Sequence, residues 1–152
     1  MIGNTRRKTV TPVLDTSAYA DGDQVSTLQT IDGLMSPRGE GELVLVTVLD
    51  KANQKVALDL FFFDASVTVA ADNAAFTITD TDMESCIAVV NVLASDYDAV
   101  STTNGFATVA VPRGIMLSRA AGGRVYMAIV SRGTPTYAAA SLVLNLTTEA
   151  RD

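Results

Sequence analysis

Three observations predict an all-β fold, an antiparallel β-sandwich of jelly-roll-like type. Apolar runs of strand length recur along the 152 residues, with Gly, Pro, Asn and Asp between them, which is the pattern of strands joined by turns. Helical periodicity is almost absent. The run LVLNL alternates strictly, with Leu142, Leu144 and Leu146 on one side and Ser141, Val143 and Asn145 on the other, as a half-buried strand requires. Many short strands separated by turn residues make a sandwich or jelly roll. The two share these signatures, so strand order stays open.

Residues 1–8 read as a flexible basic arm, and 9–152 as one domain. A chain of this length buries about 70% of its unfolded surface without metals or cross-links. A first strand is expected at 9–14, where Pro12 confines it to an edge. SAYADGD then turns the chain, and IDGLMSPRGEGE at 31–42 is a loop ahead of LVLVTVL at 43–49, a central strand. A polar turn at 51–54 suggests that this strand forms a hairpin with the next. Further strands are expected at 76–78, 87–93, 106–111, 124–130 and 142–146. One helical turn is expected at 81–85, where Thr81 and Glu84 stand at capping-box spacing.

The strand VALDLFFFD at 56–64 is apolar on both faces. Leu58, Leu60 and Phe62 point one way, and Ala57, Phe61 and Phe63 the other. One face fits the core of a sandwich, whose outer face normally meets water. Leaving two Phe side chains exposed forgoes roughly 3–6 kcal/mol of burial, so a second subunit or a packed arm is expected to cover Phe61 and Phe63. Both are candidate subunit contacts.

Composition removes several function classes. The chain has no histidine and a single cysteine, so histidine-based triads, histidine metal ligands and an intrachain disulfide are absent. Cys86 lies in an apolar run and reads as a small buried hydrophobe. A net charge of -6 argues against a broad nucleic-acid surface, which would be basic. No apolar stretch reaches the length of a membrane span, and no apolar export segment follows the basic start. A soluble protein without cofactor is expected. Only 18% of residues are charged, against about 25% in soluble domains, and this surplus of apolar surface points to an oligomer.

Three polar groups have both a structural and a functional reading. Asp80, Asp82 and Glu84 could offer oxygens to calcium, or they belong to a capped turn whose N-terminus favours acids; the full calcium loop is missing, so no metal is expected. Asp21 and Asp23, with Asp96 and Asp98, could supply the carboxylate pair of a glycosidase. All four also sit in short loops, where Asp commonly bonds nearby backbone, and no catalytic residue is expected. Arg6, Arg7 and Lys8 are either a solvated terminus or a docking element for an acidic partner surface.

Taken together, TSAYADGDQV, LDLFFFDAS, FTITDTDMESCIAVVNVLASDYDA and YMAIVSRGTPTYAAASLVLNL resemble a family of small structural proteins of tailed bacteriophages. The resemblance covers about residues 15–148 and leaves out the basic start. It implies a β-sandwich capsid decoration or cement protein, a homotrimer on the outer surface of the expanded head that clamps the major capsid protein. Assembly would occur in the host bacterial cytoplasm, whose reducing conditions suit a single cysteine. The alternative is a tail, baseplate or head-fibre module that recognises a receptor or glycan.

Overall fold

The structure, a computed structural model, describes residues 5–34, 41–117 and 124–149, and for 112–117 the backbone alone. Eight strands form: β1 (Thr5–Val10), β2 (Gln24–Ile31), β3 (Gly41–Asp50), β4 (Leu58–Phe63), β5 (Cys86–Val92), β6 (Gly105–Leu117), β7 (Val125–Ser131) and β8 (Leu142–Glu149). They make two four-stranded antiparallel sheets, with strand orders β1-β8-β3-β6 and β2-β7-β4-β5. Each strand of the first half pairs with its mirror image in the second: β1 with β8, β2 with β7, β3 with β6, and β4 with β5. This is a long hairpin wrapped around a core, the jelly roll. Helical structure among the described residues is confined to one turn, α1 (Asp80–Met83), and a 3-10 turn at Ala94–Asp96.

The expected core faces are observed. Leu58, Leu60 and Phe62 from β4 are fully buried, as are Leu142, Leu144 and Leu146 from β8. β3 lies between β8 and β6, as expected of a central strand, but only its Leu43, Val46 and Val48 side is fully buried. A register shift between Leu43 and Leu45 switches its parity, so that Leu45, Thr47 and Leu49 are half-buried on the outer face.

Five expectations about strands and turns need correction. The strand expected at 9–14 is displaced: β1 runs over Thr5–Val10, so Arg6, Arg7 and Lys8 belong to an edge strand and not to a flexible arm, while residues 1–4 lie outside the described residues. Its β-branched Thr5, Thr9 and Val10 favour extended backbone, and the pairing with β8 carries the basic residues along. The loop expected from residue 31 is preceded by a strand that the sequence reading omitted, β2. The segment expected as a strand at 76–78 is irregular. The helical turn starts earlier, with Thr79 as its cap: the Asp82 N–H donates to Thr79 Oγ1 at 3.1 Å.

The fifth correction concerns β3 and β4, which do not form a hairpin but lie in different sheets. Asp50 redirects the chain. Its side chain is fully buried, Oδ1 accepts from the Ala52 N–H at 2.9 Å, and Oδ2 accepts from Gln54 and Lys55 at 2.7 and 2.8 Å. Asn53 and Lys55 take positive φ, 53° and 50°. The carboxylate thus satisfies three N–H groups that a sheet-to-sheet crossing takes off the ladder.

The cover over the phenylalanine strand comes from the same chain. Residues 64–85, the tip of the β4–β5 hairpin, fold back over the outer face of the β2-β7-β4-β5 sheet. Phe63, Val67 and Ala128 form a second buried cluster, with Leu28, Phe61, Val69, Phe76, Ile78, Met83 and Tyr126 packed around it. Phe63 is 0% exposed, and Phe61 stacks on Phe76 with ring centroids 5.0 Å apart. Phe63 is therefore a packing residue within one subunit and not a subunit contact, because the chain supplies its own cover, while Phe61 packs on that cover and stays half-buried.

Two stability measurements follow. Asp50→Ala is expected to cost about 2–4 kcal/mol in urea unfolding, since it strands several backbone donors, while Asp50→Asn, which keeps an acceptor oxygen, loses less. Phe63→Ala is expected to cost about 3–5 kcal/mol through the cavity it leaves. An unchanged unfolding midpoint for either alanine variant would contradict the role given to that residue.

Candidate interaction surfaces

The crossings between sheets gather four loops, residues 11–23, 51–57, 93–104 and 132–141, at one end of the sandwich. Three buried tyrosines tie them together. Tyr19 packs its ring against Tyr137 with centroids 5.9 Å apart, and its hydroxyl donates to Asp72 Oδ1 at 2.7 Å. The Tyr97 hydroxyl donates to the Val56 carbonyl at 3.0 Å. Burial raises the pKa of all three well above the ordinary tyrosine value, so they act as neutral hydrogen-bonding and packing groups.

Glycines at this end have specific reasons. Gly22 sits at φ +89°, a conformation that side chains disfavour. A Cβ on Gly133 would lie 2.7 Å from Val56 Cγ1. Thus Tyr19, Gly22 and Asp23, then Asp96 and Tyr97, then Gly133, Pro135 and Tyr137 converge on one structured end.

Three of the four candidate acids serve as turn acceptors. Asp23 Oδ2 accepts from the Ala20 N–H at 2.7 Å, and Asp96 Oδ2 accepts from Leu93 at 2.8 Å. Asp98 accepts from Ser101 at 2.7 Å and from Phe106 and Val100 at 3.1 Å each. These backbone bonds, the Ser101 one foremost, hold the Asp98 carboxyl below its ordinary pKa of 3.8. Lys55 closes the same loop, with Nζ donating to the Asp98 and Ser101 carbonyls at 2.9 and 2.8 Å. Asp21 is exposed and lies 3.5 Å from Arg132, which is also 3.9 Å from Asp59. Such exposed pairs contribute little.

The Asp80, Asp82 and Glu84 group is a capped turn, with Asp82 Oδ2 also accepting from the Thr68 N–H at 3.2 Å. Among the described residues no group of three or more acids or cysteines is arranged to hold a metal ion. Cys86 is half-buried, its thiol pKa raised by burial, with Sγ 3.6 Å from the Ala88 carbonyl. Strand alternation divides the basic cluster: Arg7 is exposed, while Arg6 and Lys8 are half-buried on the other side of β1.

The four sheet edges differ. β1 carries its three cations. The start of β2 is covered by the cover segment: Gln24 N–H donates to the Ala74 carbonyl at 2.8 Å, Asn73 N–H to Gln24 at 2.9 Å, and Ser26 N–H to Asp72 Oδ1 at 2.7 Å. On the opposite side, among the described residues, β5 pairs with β4 alone; β6 pairs with β3, and its start is also held by residues 97–98, through the Tyr97–Ala107 bridge and the Asp98 N–H donating to the Phe106 carbonyl at 2.9 Å. Between these two edges lies an open groove of about 470 Å³, lined by residues 88–91 and 109–111.

Apolar side chains surround that open side. Val89 is 45% exposed, Phe106 43% and Leu93 53%. Phe106 stands beside Leu49, and Leu49 beside Val143, forming one apolar row across the outer sheet face. The sequence reading missed this surface, although the charge-free stretches AVVNV and FATVAV were visible in it.

No family model matches the chain, and no curated protein matches its sequence.

The Asp98 geometry predicts acid sensitivity. Because its folded pKa is depressed, its contribution to stability is complete above the unfolded value near 3.8 and is lost as pH falls through the folded value. Asp98→Asn should therefore be less stable than the native chain at pH 7 and lose less on acidification to pH 2–3, as measured by chemical unfolding across pH. Parallel pH profiles would rule out this role.

Proposed function

We propose that this chain is a structural protein of a tailed-phage virion, a non-enzymatic capsid decoration or cement protein. In this reading it binds the major capsid protein on the outside of the expanded head as a homotrimer. The observation that carries the proposal is the resemblance over residues 15–148, whose Tyr, Gly, Asp and Pro positions converge on one rigid end. Jelly rolls also serve in viral capsids, an analogy of fold that does not by itself assign function. The turn roles of Asp23, Asp96 and Asp98 support a structural rather than a catalytic use of the acids.

Arg6, Arg7 and Lys8 are the proposed capsid-docking residues, presented by an edge strand. Arg7, the exposed member, would steer the chain toward an acidic surface. Stabilisation follows from mass action: a protein that binds only the expanded shell favours that state by about 2.7 kcal/mol per site at a free concentration of 100 Kd.

Cosedimentation of the purified protein with expanded heads that lack it tests the proposal. Saturable binding that raises the heat resistance of the heads is expected, with Arg7→Glu weakening binding and reducing its salt dependence. Absence of binding overturns the decoration role, and binding to host cells or glycans would instead favour a tail, baseplate or head-fibre position.

A further inference from the structure

We infer that the open side of the sandwich is a joint between copies of this chain, in which β5 of one subunit adds to β6 of the next. The inference rests on the self-assembly part of the proposed function, and not on head binding.

The first ground is the asymmetry of the edges. A bare strand edge invites another strand, and proteins protect such edges with charge, bulges or a covering segment. Here the β1 edge has Arg6, Arg7 and Lys8, and the start of the β2 edge is bonded to residues 73–74. Residues 88–92 of β5 and 106–111 of β6 contain no charged residue, proline or glycine. The start of β6 is bonded to residues 97–98, but, among the described residues, 88–92 of β5 and 109–111 of β6 have no strand on their outer side, and they share an open groove with Val89 exposed beside it. A second copy is the fitting occupant because every copy carries both halves of the joint. Net charge also favours this side: each copy carries -6, and like-charged subunits approach at least cost through uncharged stretches.

The second ground is geometric. β5 ends and β6 begins at the same loop end of the sandwich, so the two run in opposite directions. Rotation about an axis parallel to the strands preserves those directions, and β5 therefore meets the β6 of a neighbouring copy antiparallel. It preserves height as well. Residues 88–91 and 109–111 line one groove, so Val89 falls level with Ala110 of the partner subunit. Val89 lies opposite Phe61 on the outer face of its sheet, and Ala110 opposite Leu45 on the outer face of the other; the rotation brings these outer faces into one surface. Both halves face the axis, so repeated addition closes a ring and does not extend as a filament. Three subunits make that ring the proposed homotrimer.

Cross-linking separates the alternatives. In a Cys86→Ala background, Val89→Cys and Ala110→Cys are made in separate full-length chains, produced alone and together, and oxidised, with masses measured by light scattering. The expected result is trimer mass throughout, and a covalent dimer only when the two variants are produced together. Covalent dimer from Val89→Cys alone would show β5 pairing with β5 about a two-fold axis and overturn the ring. An oligomer that yields no covalent dimer in any combination overturns the joint but leaves self-assembly standing. A native chain that remains monomeric at all concentrations removes both.

Discussion

The structure depends on a chain doubled back on itself and then wrapped. Each strand pairs with its mirror in the sequence, and apart from the β4–β5 hairpin successive strands lie in different sheets. Every crossing takes backbone N–H groups off a ladder, and buried or half-buried groups of this kind need new acceptors. Carboxylates supply them. Asp50 does so between β3 and β4, Asp98 between β5 and β6, and Asp15 and Asp23 between β1 and β2. Asp72 joins that last crossing to the cover by accepting from Asp15, Ser26 and Tyr19. Much of the acidic character is thus employed in turning the chain.

This division of labour explains which features the sequence revealed. Strand faces depend on local alternation, so Leu58, Leu60 and Phe62, and Leu142, Leu144 and Leu146, were readable from period two. Pairing partners depend on contacts between distant residues. Thr9 bonds Asn145 through their side chains at 2.7 Å, and nothing near Thr9 announces that partner. The β3–β4 hairpin was inferred from a polar turn at 51–54, but a short turn and a sheet crossing look alike until the burial of Asp50 is known. β2 escaped notice because QVSTLQTI is only weakly apolar and contains a bulge, with Ser26 at φ 67°.

The phenylalanine strand shows the same limit at the level of surfaces. Its two apolar faces correctly required two covers, and the sequence could not say whether the second came from another chain. Residues 64–85 supply it through the apolar side chains Val67, Val69, Phe76, Ile78 and Met83, dispersed among polar ones. Val67 and Val69, like Phe76 and Ile78, keep the i, i+2 spacing of a strand, but they are carried by irregular backbone bonded at residues 73–74 to Gln24 at the start of β2.

Using the cover on one sheet has a consequence for the opposite side. Residues 64–85 pack over the outer face and bond toward the β2 edge, so the same segment is unavailable to the β5 edge, even though β5 follows it directly in the chain. The connection between β5 and β6 likewise folds at the loop end, where Asp98 and Lys55 hold it. Among the described residues, β5 and the part of β6 beyond its bonds to residues 97–98 are therefore left without a second strand partner. Residues 88–92 and 106–111 of these strands are uncharged where β1 is basic, which separates a side suited to strand addition by another copy from a side suited to electrostatic docking. A subunit with those two sides separated across its sheets can join its own kind through one and a different surface through the other without competition between them.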